Sequence, residues 1–207
     1  MQNPTHLITN SELEAVIACS PPLVCHSLEL LHFTGMRPEE LRLCQVGDLI
    51  DGRIRAPWLK RKTGAGVSRS MCAQRGLLRS DVTRWRWLHL AGVPAAIAAW
   101  EALAGSRAAS EPLLASPRRP GHPVSRSYLS HRWARAWEAA GLRPGQERPP
   151  LYSLRHTRAT LLVEAGVKPP ALCALMGWAS IQMALVYYEA SPRILEEALA
   201  RSVALTV

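Results

Sequence analysis

No apolar run in the chain approaches the ~18 residues that a membrane-crossing helix needs. The opening residues, MQNPTHLITNSELE, also lack the basic flank and apolar stretch of a secretory signal. Both absences point to the cytoplasm and away from a membrane. No low-complexity linker or internal repeat divides the 207 residues, so one domain spanning 1–207 is expected. The five cysteines, Cys19, Cys25, Cys44, Cys72 and Cys173, are odd in number and scattered. They form no CxxC pair and show no histidine at metal-ligand spacing, so reduced, mostly buried thiols are expected. Acidic residues are in deficit, with 16 Asp and Glu against 25 Lys and Arg and a net charge of +9. That balance favours an anionic partner, nucleic acid or a membrane surface, without choosing between them.

The pattern of apolar and turn residues predicts a mainly α protein with a small antiparallel β-sheet (α+β). A helix through SELEAVIACS, capped by Ser11, precedes one through LVCHSLELLHF that ends at Thr34-Gly35, and a short helix starts at Pro38. From Leu49 to about Cys72, short runs with Gly-rich turns suggest a β meander whose tips carry Lys and Arg. PAAIAAWEALAG reads as a helix and SRAASEPLLASPRRPGHPVS as a polar, Pro-rich surface loop. In SRSYLSHRWARAWEAAG, the residues Leu129, Trp133, Ala136, Trp137 and Ala140 fall at helical spacing and mark a core face. Beyond Ser153, four short helices are separated at Gly166-Val167, Gly177-Trp178 and Ser191-Pro192.

Four local patterns then follow one another: TGMRPEEL at 34–41, KTGAGVSR at 62–69, YSLRHTRAT at 152–160 and LMGWASIQMALVYY at 175–188. Taken singly they prove little. Arg37 would suit a helix dipole, Lys62 a solvated turn, His156 and Trp178 a core. In this order and spacing they resemble the tyrosine recombinase (phage integrase) family over nearly the whole chain.

The resemblance implies roles. Arg37 takes the place of the first catalytic arginine in a T-G-x-R-x-x-E-L box, with Glu40 as its supporting carboxylate. The second box usually reads H-x-L-R-H-T and here runs Tyr152-Ser153-Leu154-Arg155-His156-Thr157, so Arg155 is the second catalytic arginine and Tyr152 stands where a histidine is common. Trp178, a variant the family accepts at a histidine position, precedes Tyr187 by the family's nine residues. That makes Tyr187 the nucleophile, with Tyr188 its rival. Lys62 fits the family's hairpin lysine, with Lys60 as the alternative. Lys60, Arg61 and Arg69 are expected to contact DNA phosphates.

The chemistry explains the residue types. Attack on a phosphodiester concentrates charge on two non-bridging oxygens, which guanidinium forks pair with better than ammonium groups do. A phenol with a pKa near ~10 needs a proton acceptor to attack, and Tyr152 is a poor base at neutral pH. His156 is read either as core or as a residue holding the site together, not as the proton carrier. Lys62 would protonate the leaving 5′ oxygen. No metal or other cofactor is expected.

Double-stranded DNA is the expected partner, with self-association into a tetramer on it, and ILEEALARSVALTV reads either as a helix that docks on a neighbour or as a core helix. The family's N-terminal DNA clamp is expected to be absent. Two other readings remain, a DNA-binding protein that keeps the fold without catalysis and a relaxing topoisomerase with the same chemistry.

Overall fold

A computed structural model describes residues 7–59, 78–82, 84–144, 146–189, 196 and 200. Lys60, Arg61, Lys62, Arg69, Cys72 and the helix expected after Ser191-Pro192 lie outside these, apart from positions 196 and 200.

The fold starts with α1 (Asn10–Ala18), whose N-cap is Thr9, not Ser11. The Thr9 hydroxyl accepts the Glu12 N–H while the Glu12 carboxylate accepts the Thr9 N–H. This reciprocal box satisfies two amides at once and so outcompetes a lone serine. α2 (Pro22–Thr34) opens on a proline whose missing N–H costs nothing in the first turn, and it ends at Gly35. α3 (Pro38–Arg42) follows directly.

β1 (Leu49–Ile50) and β2 (Arg53–Pro57) form an antiparallel hairpin through Asp51-Gly52. Both turn residues have positive φ, the two-residue geometry that an Asp-Gly pair favours. The third strand is β3 (Trp85–His89), paired antiparallel to β2 with Ala56 opposite Arg86. The meander expected to finish by Cys72 thus takes its last described strand from further along. In WRWLH the usual pattern is inverted, since the buried positions are Arg86 and Leu88 while Trp87 faces solvent. Alternation of hydrophobicity therefore does not reveal the strand.

α4 (Pro94–Ala104) is as expected. The Pro-rich stretch is not a plain loop, because β4 (Ala115–Ser116) and β5 (Arg119–Pro123) pair as a two-stranded ribbon. Such an edge tolerates prolines, which is why composition hides it. α5 (Tyr128–Ala139) buries Leu129, Trp133, Ala136 and Trp137, while Ala140 is half-buried at its C-cap. α6 (Ser153–Glu164), α7 (Pro169–Met176) and α8 (Gln182–Glu189) complete the described chain.

The buried apolar side chains fall into two groups. The larger joins α1 to α5, the sheet and the start of α6, and the smaller joins the rest of α6 to α7 and α8. Among the described cysteines, all free, Cys44 alone is buried and Cys19 is exposed, so "mostly buried" does not hold. No helix among the described residues is long and apolar enough to cross a membrane.

His32 on α2 is buried, and its Nδ1 has no partner among the described residues. Burial, then the Arg158 cation, hold its pKa below the usual 6.5. The unfolded chain therefore takes up this proton first. Its contribution to stability is intact above about pH 6.5 and lost as pH falls below that value. Thermal unfolding should show a falling midpoint between pH 7 and pH 5, with a shallower fall in His32→Leu. Parallel curves for the two proteins would remove His32 as a cause.

Candidate active site

The site is built where α2, α3, α6 and α7 meet, and close approach of helix ends makes it possible. Gly35 takes a left-handed φ of 63°, and a Cβ there would lie 3.0 Å from the Met176 side chain. Only glycine lets the end of α2 approach the end of α7 so closely. Two residues on, Arg37 is in extended backbone before Pro38.

Glu40, fully buried in α3, gathers charge around itself. It accepts from the Arg37 backbone N–H at 2.9 Å, from Arg37 Nη1 at 2.7 Å and from Arg86 Nη2 at 3.2 Å. Arg86 reaches in from β3, and its Nη1 donates to the Leu175 carbonyl at 2.5 Å. Nothing in the sequence points to Arg86, which is 46 residues from Glu40 and sits on a strand that hides its own pattern.

Arg155, in the first turn of α6, is 2% exposed. Its two Nη groups donate to the carbonyls of Gly35 and Met176, at the ends of α2 and α7. Helix C-termini carry partial negative charge, which offsets part of the cost of burying this cation. Burial, followed by the nearby Arg37, nonetheless pulls its pKa down, while Glu40 acts the other way. Its Nε–H, also buried, has no partner among the described residues. The last turn of α7 is thus closed from outside: Leu175, Met176 and Gly177 give their carbonyls to Arg86, Arg155 and Trp58 respectively. Gly177 is left-handed, and a Cβ there would lie 2.9 Å from Arg86 Nε.

After that turn Trp178 stacks on Tyr187 of α8, with ring centroids 5.2 Å apart and planes 19° from parallel. The Arg155 guanidinium lies 5.7 Å from the Trp178 ring. The Tyr187 hydroxyl is 2.5 Å from His156 Nδ1. Tyr152, at the N-cap of α6 and 38% exposed, meets the His156 ring edge-on at 5.1 Å. Burial and then Tyr152 raise the Tyr187 pKa to about 12, against the opposing pull of Arg155. Burial and Arg155 both push the His156 pKa down. Tyr188 points elsewhere, its hydroxyl donating to the Val167 carbonyl.

Arg37, Glu40, Tyr152, Arg155, His156, Trp178 and Tyr187 are therefore brought together by direct contact or close charge interaction. Lys60, Arg61, Lys62 and Arg69 lie outside the described residues. A separate group on α2 corrects the reading of the cysteines: Cys25, His26 and Glu29 bring possible ligand atoms within 4.8 Å of one another. His26 directly follows Cys25, and one helical turn adds Glu29. His26 Nδ1 already sits 2.9 Å from Glu29 Oε2, and burial, then Glu29, raise the Cys25 thiol's pKa.

The sequence model of the phage integrase family matches residues 7–193. The chain belongs to the phage integrase family. One relative is tyrosine recombinase XerC 2 of Ralstonia nicotianae, 29% identical over 195 residues, which are 91% of this chain and 50% of the relative. This phage integrase family chain thus spans about half the length of that protein. Among solved structures, the Tn1549 transposon integrase in complex with a circular intermediate DNA superposes with a TM-score of 0.70 at 20% identity, covering 97% of this chain and 67% of that one. A lambda integrase tetramer bound to a Holliday junction gives 0.63 at 20% identity, covering 87% and 47%. These likenesses establish the catalytic-domain fold of the phage integrase family for this chain, mainly helical with small antiparallel sheets.

Proposed function

We propose that this phage integrase family protein is a site-specific DNA recombinase that cuts and rejoins double-stranded DNA through a 3′-phosphotyrosyl bond on Tyr187. One observation carries the reading: the Tyr187 hydroxyl sits in a cluster whose cations, Arg37 and Arg155, suit a phosphodiester. Arg37 keeps 24% of its side chain exposed, and the buried Arg155 adds a second positive charge close to it.

In this reading the Tyr187 oxygen bonds to phosphorus as the bond to the 5′ oxygen breaks, and Lys62 protonates the departing oxygen. Resealing reverses the exchange, with a 5′-hydroxyl displacing the tyrosine. Because the phosphotyrosyl bond keeps the energy of the phosphodiester, no ATP is needed. Glu40 orients Arg37, Trp178 supports Tyr187 from its ring face, and Tyr152 lies at the mouth, where it would help position the phosphate. Lys60, Arg61 and Arg69 hold the DNA backbone. Assembly as a tetramer on DNA follows the example of the lambda integrase complex, and the +9 charge supports DNA as the partner. The reaction belongs in the cytoplasm, where its DNA would lie.

The test uses nicked duplexes built from inverted repeats in the DNA flanking the gene, so that cleavage releases a short strand and traps the covalent intermediate. A denaturant-stable protein–DNA adduct is expected in EDTA, since the arginines and a lysine supply the positive charge. An adduct that forms only when Mg²⁺ is restored would overturn the mechanism, and no adduct with any such duplex would overturn the function.

A further inference from the structure

We infer that His156 is the proton acceptor for the attacking tyrosine, taking over from the histidine that usually stands four residues earlier, where this chain has Tyr152. The inference rests on the reading of Tyr187 as nucleophile. Positions 152 and 156 are one helical turn apart and share a face of α6, and their rings touch. A base lost at the first position can thus be regained at the second without moving the helix.

The geometry singles out His156. Its Nδ1 lies 2.5 Å from the Tyr187 hydroxyl oxygen, and the two rings run 26° from parallel. With the imidazole proton on Nε2, Nδ1 accepts from the hydroxyl. Other members of the cluster are unsuited to the task. Arg37 and Arg155 have no acceptor atom, Trp178 only donates, and Tyr152 is itself a phenol. Glu40 is committed to Arg37 and Arg86.

The surroundings suit both directions of the reaction. Among the described residues, the groups facing His156 are Tyr187 from α8, Tyr152 at the N-cap and Arg155 on its own helix, while Arg37 at the N-cap of α3 and Glu40 on α3 bear on Arg155. Burial and the Arg155 cation keep the imidazole neutral near pH 7, which is the accepting form. As the Tyr187 oxygen bonds to phosphorus, its proton passes to Nδ1. The imidazolium so formed, beside Arg155, is a more acidic donor than an ordinary one. It returns the proton to the tyrosine oxygen when that oxygen leaves during resealing.

The experiment measures single-turnover cleavage of the trapping duplex by the full chain between pH 5 and 9. His156→Gln should cleave about 10²–10⁴-fold more slowly at pH 7, the usual scale for losing a general base. The parent rate should climb with pH as the imidazole loses its proton and then level off. In His156→Gln that step should vanish, and the deficit should shrink toward high pH as the phenol ionises unaided. Adding Tyr152→His should restore at least about tenfold. In case glutamine disturbs packing, His156→Ala with imidazole in the buffer gives a second test, and recovery with added imidazole is expected.

A deficit equal at every pH, with no recovery from imidazole, would assign His156 to packing and overturn the proposal. So would His156→Gln at the parent rate and profile while Tyr187→Phe abolishes the adduct, which would leave the nucleophile reading standing. If Tyr187→Phe still forms the adduct, that reading falls and the role of His156 falls with it.

Discussion

Tyr187→Phe should give no covalent adduct with the trapping duplex, whereas Tyr188→Phe should form it at nearly the parent rate. Adjacent residues on a helix point about 100° apart, so the two phenols cannot serve the same phosphate. The Tyr187 hydroxyl faces His156 and its ring lies on Trp178. The Tyr188 hydroxyl is held by the Val167 carbonyl. On the proposed role, removing the Tyr187 oxygen takes away the atom that would form the bond, and losses beyond about 10⁴-fold accompany the removal of other enzymes' nucleophiles. Removing the Tyr188 oxygen gives up one hydrogen bond, about 0.5–1.5 kcal/mol of stability. Adduct yield on a denaturing gel, with an unfolding midpoint for each variant, separates the two. An adduct from Tyr187→Phe that disappears in Tyr188→Phe would move the nucleophile by one residue.

The second large effect is on folding. Glu40→Ala should destabilise the protein by about 3–5 kcal/mol, the range for removing one partner of a buried ion pair. The carboxylate is fully buried between Arg37 and Arg86. Without it Arg86, 9% exposed, keeps a buried charge with no counter-ion from α3, and Arg37 loses the group that orients it. Urea denaturation gives the number directly. A loss below about 1 kcal/mol would mean that the arginines find other partners, a cost more typical of an exposed pair.

What could be read from the sequence and what could not divide along physical lines. α5 was legible because its large apolar residues recur at helical spacing against one core, and a β meander from Leu49 because short runs there alternate with Gly-rich turns. β3 was not, since one of its two inward residues is an arginine held by Glu40 and by a helix end, and its outward residues include an exposed tryptophan. β5 was hidden by prolines that an edge ribbon tolerates. Within the site, local motifs brought Arg37, Glu40, Arg155, Trp178 and Tyr187 into view because each is fixed by its neighbours in the chain. Arg86 and the contact between His156 and Tyr187 depend on elements 46 and 31 residues apart, and no local spacing encodes them. The Cys25, His26 and Glu29 group was overlooked for the opposite reason: the histidine is next to the cysteine, and only helix geometry adds the third member.

The outside closure of α7 bears on how relatives of this protein should be interpreted. Arg155 ties off two helices whether or not DNA is ever cut, and Arg86 and Gly177 are fixed by the same turn. A lineage that lost the proposed strand exchange and kept only DNA binding would still use all three to hold this turn. The arginine is therefore a poor marker of activity among divergent descendants, since it would outlast the chemistry. The hydroxyl of Tyr187 makes one side-chain contact, with His156, so its replacement by phenylalanine would cost the fold far less and, on the proposed role, would be an early trace of a retired enzyme.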